Sequence, residues 1–460
     1  MAQEQTTDAL KQQLRSAFDD MIQSFQEARD AIDNPALYPP PANERNLAEG
    51  YRYLLGFMLS GIERTLADPL YPRFRRAIQT TNRATIDNAD AVYLMAEIDG
   101  NHSYRVRGKA ADTRHWRGET PADGITAPQY VIFELSSGYA GDSGKLSEMQ
   151  PGTRINTSTL DSSELLIADD GSFDILIAPE KPANYSGNFM LSKRTSRDVE
   201  HVGRYLTCRE LFHDWANQDV MDLEILRIGC ENEVKPPLSA REAAEHLREV
   251  GRIARNQVHF WNAFNAITLE TYGQVPGGIS EKMGMDRPFM PVNDMNPPNA
   301  LGLATGGGQS SNIYAGGTYL LDDNEALIIE TKTVIEPAFI GFHLANLWGE
   351  SLDFESYPSN INGHLMESDP DGYRRWVVCH RDPGIANWVS TTGLPHGYTS
   401  MRWTYPTPPP KEHWPTLKVE KVAFEDIRKQ LPHARTVSEQ ERADQRLIRH
   451  RHVQRRYRQY

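Results

Sequence analysis

Residues 88–108, NADAVYLMAEIDGNHSYRVRG, and residues 312–331, NIYAGGTYLLDDNEALIIET, are two versions of one passage. Each sets a tyrosine, Tyr93 or Tyr314, ahead of a β-rich run that breaks at an Asp, Asn or Gly turn and then resumes. Short runs of Val, Ile, Tyr and Thr bounded by such turn formers are strand chemistry.

The likeness continues in order. QYVIFELSSGY (129–139) matches AFIGFHLANLW (338–348), LDSSELLIADDGSF (160–173) matches INGHLMESDPDGYR (361–374), Arg209 matches Arg402, and LEILRIG (223–229) matches LKVEKVA (417–423). The pair Asn387-Trp388 has two candidate counterparts in the first copy, Asn184-Tyr185 and Asn188-Phe189. Several matched elements in one order imply an internal duplication. The expected fold is mainly β with α additions: two duplicated antiparallel β-sandwich or jelly-roll-like modules facing each other across a pseudo-twofold axis.

Helical patterning surrounds the repeats. Leu10, Leu14, Phe18, Met21, Ile22 and Phe25, and then Tyr51, Leu55, Met58 and Ile62, recur at helical spacing and are expected to pack on the core, with a lid as the functional alternative. Ser239 and Glu242 form a capping-box signature before a long helix, and Ser438 and Glu441 repeat it near the C-terminus. The expected division is an N-terminal helical segment (1–84), a first β module (85–235), a connecting helix with a Gly/Pro-rich stretch (236–308), a second β module (309–425) and a C-terminal basic helix (426–460).

The formal charge of -13 argues against a polyanion binder, because phosphate binding rests on Lys and Arg displacing counterions. No nucleic-acid partner is expected. The basic run Arg446, Arg449, Arg451, Arg455, Arg456 and Arg458 reads as a solvated or subunit-contacting helix, and a homo-oligomer is compatible with it. No stretch has the length and apolarity of a membrane span, so no membrane partner is expected. Three cysteines without a Cys-x-x-Cys suggest neither a disulfide framework nor a zinc site, and the N-terminus lacks the pattern of a secretory signal, which together point to the cytoplasm.

The passage SNINGHLMESDPDGYRRWVVCHRDPGIANWVSTTGLPHGYTSMRWTY (359–405) resembles the C-terminal signature of the bacterial family of domain of unknown function 1214, and NADAVYLMAEIDGNHSYRVRG and CRELFHDW look like its N-terminal counterparts. The resemblance covers most of the chain beyond Asn46 and is most specific from Asp382 to Trp388. It implies a jelly-roll-like β fold and no particular reaction.

No dinucleotide-binding or metal-binding motif appears, and the triple glycine at 306–308 lacks the Lys-Ser/Thr of a phosphate loop. No cofactor is expected, and a metal assembled from distant strands has no local motif to support it. Gly141-Asp142-Ser143-Gly144 spells a protease-like tetrapeptide with the wrong flanks and reads as a turn. In WVVCHRD strand alternation sends Cys379 and His380 to opposite faces. The aromatics Trp215, Trp348, Trp376, Trp388 and Trp403 read as core filling, with stacking on a sugar ring or lining an apolar pocket as the functional alternative.

Residues polar in only one copy are the better site candidates: His380 stands against Pro179, Asp382 against Lys181 and His364 against Ser163. Two residues apart, His380 and Asp382 suggest a general base and its orienter, although Asp382-Pro383-Gly384 also has the composition of a tight turn. Glu134 and His343 hold equivalent places on the less apolar faces of their strands; they read as two solvent-facing side chains or, if the modules face each other, as a carboxylate and an imidazole converging in the groove between them. Asn387, Trp388, Arg402 and Arg209 complete the set as substrate-binding groups, the two arginines serving equally well to pin the shared fold. The resulting expectation is a cofactor-free enzyme of lyase or hydrolase type moving a proton on a small, partly apolar metabolite, with non-catalytic recognition of a small molecule or glycan as the alternative.

Overall fold

The computed structural model describes residues 2–34, 36, 40–150, 152–269, 281, 286, 288–300 and 309–458; the triple glycine at 306–308 lies outside them. Helices α1 (Ala2–Asp30) and α2 (Glu44–Leu66) precede the first module, and α3 (Ala240–Leu269) packs along both. Helix α4 (Glu439–Arg456) closes the chain. The capping boxes at Ser239/Glu242 and Ser438/Glu441 are both formed, satisfying backbone N–H groups that a helix start leaves open.

The first module contains β1 (Arg75–Ile78), β2 (Ala91–Glu97), β3 (Tyr104–Lys109), β4 (Tyr130–Ser136), β5 (Asn156–Asp161), β6 (Ser172–Ala178), β7 (Asn188–Leu191), a hairpin of β8 (Lys193–Ser196) and β9 (Val199–Val202), β10 (Tyr205–Leu211) and β11 (Asp222–Arg227). The second contains β12 (Asp294–Met295), β13 (Asn312–Leu320), β14 (Glu325–Lys332), β15 (Phe339–Ala345), β16 (Asn360–Asn362), β17 (Arg374–Cys379), β18 (Trp388–Ser390), β19 (His396–Thr404) and β20 (Thr416–Ala423). The five-stranded sheets run β1-β2-β10-β4-β5 and β12-β13-β19-β15-β16; the four-stranded sheets run β11-β3-β6-β7 and β20-β14-β17-β18. Strand for strand, these are one topology built twice, down to the parallel pairs β6·β7 and β17·β18.

The register agrees residue by residue. Tyr93 faces Arg209 and Tyr314 faces Arg402 across matching strand pairs. The turns before β6 and β17 are also alike: Gly171 and Gly372 both adopt positive φ, and Asp170 and Asp371 each accept a bond from the backbone N–H two residues on. Asn188 and Asn387 each bracket one backbone residue, Leu166 or Glu367, by accepting from its N–H and donating to its C=O. That bracket identifies Asn188-Phe189 as the counterpart of Asn387-Trp388.

Alternate residues of facing sheets fill each sandwich: Val131, Phe133, Ile175 and Leu206 in the first, and Ile340, Phe342, Trp376 and Trp403 in the second. The sandwiches meet through the outer faces of their five-stranded sheets, where Phe339 packs into Ala91, Tyr130, Ile132 and Leu211.

Three expectations change. The edge strands β1 and β12 lie upstream of the matched passages, in stretches read as helix and as connection. The stripe Tyr51, Leu55, Ile62 faces outward, while α2 buries Tyr53, Leu54, Phe57 and small residues at Gly50, Gly56 and Gly61. Nor is α4 a solvated basic helix. Arg449 and Arg456 are buried beside the Trp215 ring, and their guanidinium groups donate to Asn360 and to the Ala89 carbonyl.

Candidate functional site

The expected base and orienter do not pair. His380 uses both ring nitrogens: one meets the Thr391 hydroxyl and the other the Leu321 carbonyl at 3.0 Å. Asp382 caps its own turn by accepting from the Gly384 N–H at 2.8 Å and forms an ion pair with Arg442 of α4 at 2.9 Å. The chain turns at Asp382 immediately after β17, so strand alternation no longer carries it to the face of His380. Asn387, in its backbone bracket, is likewise a turn residue, and Trp388 donates from its indole to the Cys379 carbonyl with Arg442 over the ring.

His364 is half exposed, with Nε2 3.7 Å from the Asp214 carboxylate of the first module and its ring 6.1 Å from that of His213. His213 is held neutral, its pKa lowered to about 3 by burial and then by His364 and Arg374. Two separately noted motifs thus meet across the boundary between the modules.

The remaining four nominated residues lie on the joined outer faces. Glu134 on β4 reaches diagonally to Arg209 on β10, forming a buried ion pair, and also accepts from Asn156 Nδ2 at 3.2 Å and the Ser310 N–H at 3.1 Å. In the second module His343 on β15 and Arg402 on β19 stand in the same diagonal relation. Arg402 donates through Nη2 to the Ile86 carbonyl, but its Nη1 has no acceptor among the described residues. His343 is 0% exposed and neither ring nitrogen has a partner among the described residues. Burial and then Arg402 push its pKa well below the ordinary value, so the imidazole is neutral. The two arginines share this seam: both act on the Tyr93 hydroxyl.

One residue pair further along the same face, Ala345 and Tyr398 are covered by Met290, Phe289, Leu347 and Ile86. An apolar cluster therefore adjoins the His343 imidazole and the Arg402 guanidinium, whose Nη1 is its unsatisfied nitrogen among the described residues. Such a mixture of apolar lining and a few convergent polar groups suits a small organic molecule. Among the described residues no group of three or more His, Cys, Asp and Glu is placed to hold a metal ion.

Sequence reasoning missed Asp90, which is fully buried and accepts bonds from Trp215 Nε1, Asn360 Nδ2 and Asn362 Nδ2 at 2.8–2.9 Å. Its counterpart three residues before Tyr314 is Ser311, so the comparison of halves contained the signal. A separate cavity of about 360 Å³ opens beside β14, lined in part by Glu330, Asp369, Arg375 and Lys418. None of the nominated residues lines it, and its Arg375 is already paired with Glu330, Asp369 and Asp371.

No helix among the described residues is long and apolar enough to cross a membrane. No protein-family model matches the chain, and no curated protein matches it. Among solved structures, an uncharacterised protein from Burkholderia cenocepacia is similar over 90% of this chain and 99% of its own, with 24% identity and a TM-score of 0.71. The VPA0106 protein of Vibrio parahaemolyticus aligns over 87% of this chain and 100% of its own, with 11% identity and a TM-score of 0.41. The first of these shares the β-rich fold with helical additions.

Proposed function

We propose that the protein recognises a small, partly apolar molecule on the outer face of the second five-stranded sheet, with His343 and Arg402 as its polar contacts. The observation that carries the reading is the state of His343: fully buried, neutral, and without a partner at either nitrogen among the described residues. A buried polar group left unpaired costs roughly 1–3 kcal/mol, which a ligand supplying the missing bonds recovers.

Recognition fits this imidazole better than proton abstraction. A base is most effective when its pKa lies near the working pH, and a histidine whose pKa is far below its ordinary value takes up a proton poorly at neutral pH. His380, with both nitrogens engaged, offers no stronger candidate. Membership of the family of domain of unknown function 1214 is part of the same proposal and rests on the passage from Asp382 to Trp388.

A thermal-shift screen of small organic acids, amides, alcohols and sugars against the wild-type protein and His343→Phe tests the reading. The expected result is a ligand-dependent rise in Tm that the variant loses. A rise of equal size in both proteins would place the bound molecule elsewhere.

A further inference from the structure

The two halves solve one electrostatic problem differently. In the first, Arg209 receives the Glu134 carboxylate from the neighbouring strand. In the second, the residue at that register position is His343, which carries no negative charge, and Arg402 Nη1 is left without an acceptor among the described residues. Asp87 acts on Arg402 from the crossing segment, but it bonds the Ser351 N–H at 2.9 Å and the Ser351 hydroxyl at 2.8 Å and forms no ion pair with Arg402. The second half thus keeps the arginine of the pair and lacks the side-chain carboxylate that completes it.

Resting on the reading that this face binds a small molecule, we infer that the ligand is a monocarboxylic acid with an apolar body, its carboxylate taking the place that the Glu134 side chain fills in the first half. A carboxylate has two oxygens able to accept from Arg402 Nη1 and from the N–H of a neutral His343. The apolar body displaces part of the cluster in which Met290, Phe289 and Ile86 pack on Ala345 and Tyr398. The charged group supplies specificity, and the apolar cluster shields it from water, where its bonds to arginine would be weaker.

The experiment is isothermal titration of the full chain with butanoate, hexanoate, octanoate and benzoate, each beside its primary amide and alcohol. The acids bind about ten- to a hundredfold more tightly than their neutral counterparts, the ratio expected for a hydrogen bond to a charged group. The variant His343→Glu installs the arrangement of the first half; it abolishes acid binding and raises the Tm of the ligand-free protein. Neutral amides or alcohols that bind as well as the acids, and are lost in His343→Phe, would overturn the carboxylate while leaving the site. Absence of binding by every acid would overturn the inference outright. The acid-to-amide comparison uses the unaltered protein, so it decides the matter even if the glutamate variant does not fold.

Discussion

Glu134 and His343 occupy the same register position in the two modules, each diagonal to an arginine, and only Glu134 can neutralise its neighbour. The duplication therefore provides a finished site and an unfinished one within a single chain.

The finished site is expected to be structural. Glu134→Ala removes the carboxylate of a largely buried ion pair and leaves the Arg209 charge without it, a change that typically costs about 3–5 kcal/mol. Urea denaturation of the variant checks this, and a loss below about 1 kcal/mol would mean that the pair is relieved by water.

Helix α2 makes a prediction opposite to that of its most conspicuous apolar stripe. Leu55 is 61% exposed and Ile62 43%, so Leu55→Gln and Ile62→Gln should each change stability by only about 0.5 kcal/mol. Phe57 lies in the core with Tyr53 and Trp348, and Phe57→Ala should cost about 3–5 kcal/mol. Thermal or chemical melts of the three variants separate the two faces.

His213 gives a pH signature. Its folded pKa of about 3 lies below its ordinary 6.5, so between those values the unfolded chain binds the proton and the folded chain does not. Its contribution is complete above pH 6.5 and is lost as the pH falls toward 3. Relative to His213→Gln, the wild-type protein should lose on the order of 2 kcal/mol between pH 6.5 and pH 4.5. Denaturation of both proteins across that range measures the difference, and a constant gap would show that His213 titrates normally.

The C-terminal helix is expected to hold the two modules together. Arg456 reaches the Ala89 carbonyl of the first module and Arg449 reaches Asn360 of the second, with Asp90 between them acting on both. Deleting residues 438–460 should strip Asp90 of that compensation and lower the Tm sharply. A truncated chain that melts like the full one would show that the buried arginines hold nothing in place.

The duplication and the β-rich character of both halves were legible in the sequence because a repeated passage carries its pattern with it, whereas the sheet order and the edge strands β1 and β12 were not. The residues matched between halves, Tyr93 with Tyr314 and Arg209 with Arg402, prove to be cross-strand neighbours within each half. The α2 error has a physical cause: Leu54 and Phe57 form one apolar face and Tyr51, Leu55 and Ile62 another, and periodicity alone does not say which meets the core. The pairing of His380 with Asp382 failed because spacing along a strand ceases to matter where the strand ends. What draws attention to His343 is an imidazole without a hydrogen-bond partner among the described residues beside an arginine with an unsatisfied Nη1, and that combination depends on strands and a covering segment that are distant in the chain.

The most direct measurement is a high-resolution crystal structure of the protein grown with saturating hexanoate or benzoate. A carboxylate within hydrogen-bonding distance of Arg402 Nη1 and one nitrogen of His343, superposing on the Glu134 side chain when the modules are overlaid, is the result this account requires. Ordered water alone at those atoms, with the acid bound elsewhere or absent, would contradict it.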